Sequence, residues 1–365
     1  MTISTRMDMN NLYFEELESL RGLAALLVVF NHFLQFSHQV IYVPLVMNGY
    51  LMVDLFFVIS GFVINNAYSE RINCSKDFVR FFLLRLGRLY PVHILFLFLF
   101  VLIEILKLIF VPENIASLAF TKNGVIEFVE NLFLVHGVIQ NGNFSYNIPS
   151  WSISVELITY IVFGITIFLL KSRSSLLFPV AAIVAIYILF SHETYGFTNL
   201  LRCFAGFFLG CTVAQSNRKF RITLPANISL VIFIALILFL MFKRNSTDLD
   251  IIIYPLSAIL IASLVLRPRD LLNQLLKLNF LRRLGAMSYS IYMSHFFLLW
   301  CVDNFFKRIL SRGQNIDGMR NVTVAESWVT LFVFISLVLV ISWQVFLYVE
   351  QPLRAASRRM VLAKQ

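Results

Sequence analysis

Charged residues are scarce in this sequence. Only 14% of its 365 residues are Asp, Glu, Lys or Arg, whereas soluble domains carry about 25%. Hydrophobic residues make up 59% of the chain, which includes 38 phenylalanines. This balance excludes an ordinary soluble protein and indicates a polytopic membrane protein.

The signatures of metal-binding, redox and soluble enzymes are also missing. The four cysteines show neither metal-ligand nor redox spacing, so we expect free thiols and no metal site. No P-loop, GxGxxG, HExxH, GxSxG or paired CxxC motif occurs. The N-terminal region is acidic where a signal peptide would be basic, so we expect no cleavable signal.

Ten apolar segments predict an all-α membrane protein with about ten transmembrane helices. They lie at roughly 20–37, 50–67, 92–111, 151–170, 176–191, 199–215, 226–242, 250–266, 286–304 and 328–349. We expect one transmembrane domain over 1–365, with short tails at 1–18 and 351–365 and no further soluble domain. A moderately apolar piece at 125–139 is interpreted as a re-entrant or interfacial helix.

The net charge of +10 is spread over short loops, which argues against a nucleic-acid partner. With the N-terminus inside, the cytosolic segments hold 20 Lys and Arg residues and the outer segments hold 7. Positive residues concentrate on the cytosolic side of membrane proteins. The sequence therefore predicts cytosolic termini.

Two ionisable residues interrupt the apolar stretch that begins at Ser19. Arg21 and His32 are eleven residues apart, so they lie on one face of a helix and about 16 Å apart along its axis. An ionisable side chain at this depth usually faces the bundle interior. His32 is therefore a candidate catalytic residue, although an interhelical hydrogen bond and a snorkelling arginine would also explain the pair.

A polar stripe begins the fourth segment, in IPSWSISVELITY. Ser152, Glu156 and Tyr160 are spaced four apart, and Trp151 suits an interfacial position. Glu156 lies roughly 8 Å below Trp151, where a carboxylate needs a partner or water. It is predicted either to act in acid–base chemistry, as a partner of His32, or to pair with Arg21 or Arg202.

Other polar groups fall within the apolar segments. Asp54 is interpreted either as a site residue or as half of a structural ion pair. Ser288, Tyr292 and His295 share one helix face, as a polar lining or a packed hydrogen-bonded seam.

Arg85 and Arg88 are three residues apart in RLGRLYP and project together. Paired guanidinium groups suit phosphates, although charge alone favours ordinary positive-inside charge or lipid headgroup contact.

Several stretches taken together resemble the acyltransferase-3 family of integral membrane acyltransferases. The matching elements, in order, are Arg21 with His32 (Arg-x10-His), GYLMVDLFFVISGF, RLGRLYP (Arg-x-x-Arg), PSWSISVELITY (Trp-Ser-x-Ser-x-Glu), SYSIYMSH and FLYVEQPLR. Gln351 stands where the family usually has a basic residue, and Met293-Ser294 where an aromatic is common.

The resemblance implies an O-acyltransferase that moves an acetyl group from cytosolic acetyl-CoA to a hydroxyl of a polysaccharide or lipopolysaccharide glycan, free or lipid-linked. It implies a bacterial inner-membrane location and leaves a homo-oligomer open. Catalytic roles fall on His32, Arg21 and Glu156, and CoA binding on Arg85 and Arg88. Substrate contacts fall on a further set: Asp54, Trp151, Ser152, Tyr160, Tyr292 and His295.

Two other hypotheses remain. A proton-coupled exporter would use His32, Asp54 and Glu156 as a relay, but it is expected to show inverted repeats or broken spans, and the sequence shows neither. A non-catalytic scaffold in polysaccharide assembly would not explain Arg21 together with His32.

Overall fold

The protein is a bundle of helices in a computed structural model. The structure describes residues 14–110, 119–138, 144–219, 224–243, 246–266, 269–314 and 318–363, and within these ranges it contains no β-strand. The helices are α1 Glu15–Phe33, α2 Met52–Tyr68, α3 Ser75–Phe110, α4 Val125–Leu132, α5 Trp151–Leu170, α6 Ser174–Ser191, α7 Thr198–Lys219, α8 Ile228–Phe242, α9 Ile253–Leu266, α10 Leu271–Leu276, α11 Asn279–Ala286, α12 Ser288–Arg308, α13 Val324–Val345 and α14 Gln351–Leu362. Short helical turns precede α2, α5, α6 and α9, and a π-helical turn joins α13 to α14.

Among the described residues, six helical stretches are long and apolar enough to cross a membrane. They are Pro44–Tyr68, Ser75–Phe110, Ile148–Leu170, Ser174–Ser191, Thr247–Leu266 and Val324–Val361. Helix α8 is apolar but shorter, whereas α1, α7 and α12 carry more polar residues. Each of the ten predicted segments overlaps a helix, so the all-α membrane fold is confirmed, with about ten spans as an approximate number.

Two stretches predicted as polar connections are helical. The basic stretch before Pro91 belongs to α3, which runs 36 residues through that proline and is about 54 Å long. The expected tail after Glu350 forms α14, which packs against α3. A Cβ on Gly87 would lie 1.9 Å from Ser357 Oγ, so this close packing requires the glycine. The packing of α14 against α3 stabilises both helices, although the sequence predicted no helix in these two polar stretches.

Small residues also bring α2 and α7 together. A Cβ on Gly61 would lie 1.8 Å from the Phe207 carbonyl oxygen, and one on Gly210 would lie 2.1 Å from that of Val58. Close backbone approach at small residues is the usual way in which membrane helices gain packing contacts. Around this contact lies the larger hydrophobic core.

Helix α1 is fixed at both ends. Near its start, Glu15 and Glu16 form ion pairs with Arg282 and Lys277 at 2.9 and 2.8 Å. Near its end, Phe33 is fully buried in a second core that also includes α12 and α13. The helix that carries Arg21 and His32 therefore has a defined position against α12.

Part of the 125–139 piece forms the short helix α4, and residue 139 lies outside the described residues. Val125, Ile126 and Val129 of α4 are exposed, whereas Asn131 is buried. An apolar outer face on a short helix agrees with the interfacial interpretation.

Candidate active site

Two histidines from distant parts of the sequence meet between α1 and α12. His295 Nε2 lies 3.2 Å from His32 Nδ1, and the ring centroids are 4.9 Å apart. His295 is fully buried, whereas His32 is only partly buried. The sequence predicted both residues as site candidates but gave no sign that they touch.

The backbone of α1 fixes the tautomer of His32. Its Nδ1 lies 3.0 Å from the carbonyl oxygen of Val28, which can only accept a hydrogen bond. Nδ1 therefore carries the proton, and the nearby His295 Nε2 is an acceptor. His32 Nε2 keeps its lone pair and has no hydrogen-bond partner among the described residues. The residue is only partly buried, so this nitrogen is accessible. This is the arrangement that a general base requires.

An open cavity with both polar and apolar lining residues lies near the histidine pair, and its empty volume is about 680 Å³ with part of the adjoining solvent included. From Val53 to Ile64 of α2, its wall extends over about 16 Å. Arg21 and Arg88 line this cavity together with Ser152 and Tyr292. The other polar lining residues are Ser60, Glu156, Tyr160, Ser288 and Tyr289.

Tyr292 connects this cavity to the histidine pair. Its hydroxyl lies 3.0 Å from Ser152 Oγ and donates to the Pro149 carbonyl oxygen. Its ring centroid is 5.8 Å from that of His295, one turn further along α12. The Ser152 end of the cavity therefore adjoins the histidines, although His32 itself does not line it.

Glu156 has different partners from those predicted. Its Oε1 accepts hydrogen bonds from Ser60 Oγ at 2.5 Å and from Tyr160 Oη at 2.6 Å. In the described part of the chain it bonds neither His32 nor the arginines that the sequence suggested. Glu156 lies on the cavity wall with Ser60, a residue that sequence reasoning missed because a lone serine in an apolar helix gives no signal.

The two arginines of RLGRLYP separate. Arg88 lines the cavity with Arg21, whereas Arg85 donates to Tyr68 Oη at 2.8 Å and lies 5.0 Å from the centre of that ring. Arg85 therefore does not line the cavity with Arg88 and is bonded to Tyr68 instead. The two guanidinium groups on the cavity come from different helices.

Glu350 is a second residue that sequence reasoning missed as a site candidate. It is 4% exposed and accepts a hydrogen bond from Ser290 Oγ at 2.6 Å. It lies in the π-helical turn after α13, near Arg88 and Arg21. Its place in FLYVEQPLR, together with the irregular helix, was the available signal.

Asp54 and Trp151 belong to a separate cluster. Asp54 is 1% exposed and receives two hydrogen bonds from Arg202, at 2.7 and 3.1 Å, and one from Tyr254 at 3.0 Å. Trp151 packs against Arg202 with 5.1 Å between guanidinium carbon and ring centre. Neither Asp54 nor Trp151 lines the cavity, so the structure supports the ion-pair interpretation of Asp54 rather than a substrate contact.

A second histidine pair lies between α3 and the segment after α4. The rings of His93 and His136 are parallel within 7°, with centroids 5.9 Å apart. His93 Nε2 donates to the Asn131 carbonyl oxygen, and His136 Nε2 lies 2.9 Å from Ser150 Oγ. Burial and the neighbouring His93 lower the pKa of His136 to about 3, so its ring is neutral. His93 is buried within α3.

The described residues do not form a metal site at the cavity or at either histidine pair. Among the described residues, no group of three His, Cys, Asp or Glu side chains could hold a metal ion.

Comparison with known proteins connects this geometry to acyl transfer. A family profile described as an acyltransferase domain matches residues 14–348. The peptidoglycan O-acetyltransferase YrhL of Bacillus subtilis is 26% identical over 323 residues, 78% of this chain and 48% of that protein. The O-acetyltransferase OatA of Staphylococcus aureus is 26% identical over 80% of this chain and 52% of its own.

A third relative is protein 2 in the picA locus of Rhizobium radiobacter, which is 31% identical over 156 residues, 40% of this chain and 79% of that protein. This chain spans about half the length of the O-acetyltransferases it matches. No solved structure matches it.

Proposed function

Because the chain belongs to the acyltransferase family whose profile covers residues 14–348, we propose that it is a membrane O-acetyltransferase acting from acetyl-CoA on a glycan hydroxyl. One observation carries this proposal: a cavity lined by two arginines is connected through Tyr292 and His295 to His32, whose Nε2 has no hydrogen-bond partner among the described residues. The names of the relatives YrhL and OatA support acetyl as the acyl group.

Arg21 and Arg88 bind the phosphates of the donor in this proposal. Guanidinium groups form charge-assisted, bidentate hydrogen bonds with phosphate oxygens. The arm of CoA then runs along the cavity, past Glu156 and Tyr160, towards Tyr292. With cytosolic termini, the arginines face the cytosolic donor of a bacterial inner membrane.

His32 Nε2 acts as the general base. It takes the proton of the acceptor hydroxyl while that oxygen attacks the thioester carbonyl carbon, and the carbon–sulfur bond breaks as the ester forms. The proton then passes from His32 to the departing CoA thiolate, so no external acid or base is consumed. Proton transfer by a positioned histidine contributes about 10²- to 10⁴-fold in rate.

The acceptor is proposed to be a glycan hydroxyl, because YrhL is named a peptidoglycan O-acetyltransferase. The exporter hypothesis is not favoured. Asp54 and Glu156 are each hydrogen-bonded to neighbours other than His32, so the contacts do not form the proposed relay.

The test is transfer of labelled acetyl groups from acetyl-CoA to glycan in membranes that contain the protein. His32→Ala should lower transfer at least about 100-fold. His192→Ala is the matched control, because His192 is exposed and paired only with the exposed Asp248. Wild-type activity in the His32→Ala variant would disprove the proposed role of His32, and no label transfer by the wild-type protein would disprove the function.

A further inference from the structure

His295 is the best-placed partner of the proposed base. Its Nε2 lies 3.2 Å from His32 Nδ1, it is fully buried, and it does not line the cavity. Because it is fully buried and does not line the cavity, it is poorly placed for the substrate contact that sequence reasoning assigned to it.

The Val28 carbonyl and His295 restrain His32 in different ways. Val28 is one turn earlier on the same helix, so its hydrogen bond sets the proton on Nδ1 but moves with α1. His295 belongs to α12, the helix whose Tyr292 lines the cavity. A second acceptor on α12 fixes the ring of His32 relative to the cavity wall.

His295 is itself anchored within α12. The turn that precedes it is held from outside, because Asn147 Nδ2 donates to the Met293 carbonyl oxygen at 2.9 Å. The adjacent Ser294 lies 2.8 Å from Ser342 Oγ of α13. A rigidly held second residue is what the orientation of a catalytic ring requires.

We propose that His295 is a positioning residue for acetyl transfer, and that it accepts the Nδ1 proton of His32 in a hydrogen bond so that Nε2 faces the reacting hydroxyl. It occupies the place that a carboxylate holds in a serine-hydrolase triad, but as a neutral acceptor. This inference rests on the proposed function, because it requires His32 to be the base.

Three substitutions of His295 test the acceptor itself. The amide of Gln reaches the position of the histidine Nε2, the shorter Asn reaches only that of Nδ1, and Leu offers no acceptor. His295→Leu and His295→Asn should each lower kcat about 10- to 100-fold with the KM for acetyl-CoA unchanged. His295→Gln should recover kcat to within a fewfold of wild type, and all three should be inserted and folded to the same extent.

The outcomes separate the alternatives. A raised KM with unchanged kcat would make His295 a substrate contact, and equal activity of the Asn and Gln variants would make it a packing residue. Either result overturns the inference, as does full kcat in His295→Leu. If the wild-type protein transfers no acetyl, or His32→Ala keeps its activity, it is the proposed function or the role of His32 that fails.

Discussion

The molecule contains two histidine pairs that differ in their free nitrogen atoms. In the pair formed by His93 and His136, both Nε2 atoms are engaged, by a carbonyl oxygen and a hydroxyl, and both Nδ1 atoms are buried without a partner. In the pair formed by His32 and His295, the Nδ1 of His32 is engaged and its Nε2 is open.

Burial and pairing alone therefore do not identify a catalytic histidine. The second difference is what lies beside each pair. A cavity with two arginines adjoins the His32 pair through Tyr292, whereas the described residues around His93 and His136 include hydrogen-bonded side chains of α4 and of the segment just before α5. An open lone pair beside a space that can hold a substrate distinguishes the site from a structural contact.

The largest effect should come from replacing one histidine of each pair with glutamine and comparing the two variants. His32→Gln should lower acetyl transfer at least about 100-fold, because the base is lost. His93→Gln should leave transfer per folded molecule within about threefold of wild type, because its ring is engaged in holding α4. Transfer rates normalised to folded protein measure both, and a comparable loss in the two variants would remove the distinction.

The next effect concerns the donor end of the cavity. Arg88→Gln should raise the KM for acetyl-CoA about tenfold or more, because one charge-assisted phosphate contact is lost. Arg85→Gln is the matched control, with a smaller rise expected because Arg85 bonds Tyr68 instead. Initial rates over a range of acetyl-CoA concentrations give both values, and an equal rise would restore the paired role that the sequence suggested.

Asp54 should matter for stability more than for donor affinity. Asp54→Ala should cost about 3–5 kcal/mol, because Arg202 is left buried without its partner. Asp248→Ala removes an exposed ion pair and should change stability far less than Asp54→Ala does, because exposed ion pairs contribute little. Unfolding of the purified proteins in denaturant measures the difference, and equal stability of the two variants would show that the Asp54 ion pair is not structural.

The smallest effect is a pH dependence at the second pair. The pKa of His136 is about 3 in the folded protein and about 6.5 in an unfolded chain, so only the unfolded chain binds this proton between these values. The stability that neutral His136 contributes is complete above about pH 6.5 and is lost as the pH falls towards 3. His136→Asn should flatten this decline in the unfolding temperature, whereas His192→Asn should not.

The sequence predicted the helices and the site residues better than their contacts. The spacing of Arg21 and His32 and the stripe from Ser152 to Tyr160 are local patterns, and local patterns are readable from helical periodicity. The contact between His32 and His295 joins residues 263 positions apart, which no periodicity reveals. Sequence reasoning therefore found both histidines but not the contact between them.

The errors in predicting two stretches of the chain have a common physical cause. The basic stretch before Pro91 and the segment after Glu350 are polar in composition, but each is helical because it packs against the other. Arg85 was misplaced for a similar reason, since Tyr68 comes from another helix. Tertiary contacts determine the helical state of these stretches and the partner of Arg85, and such contacts cannot be predicted from composition.

The most direct measurement records binding and transfer in one sample. Purified His32→Ala protein is loaded with labelled acetyl-CoA, and bound donor and label on added glycan acceptor are counted over one turnover. The account predicts that the donor binds as tightly as to wild type while almost no label moves to glycan. Loss of donor binding, or transfer at the wild-type rate, would contradict the assignment of His32 as the base of acetyl transfer.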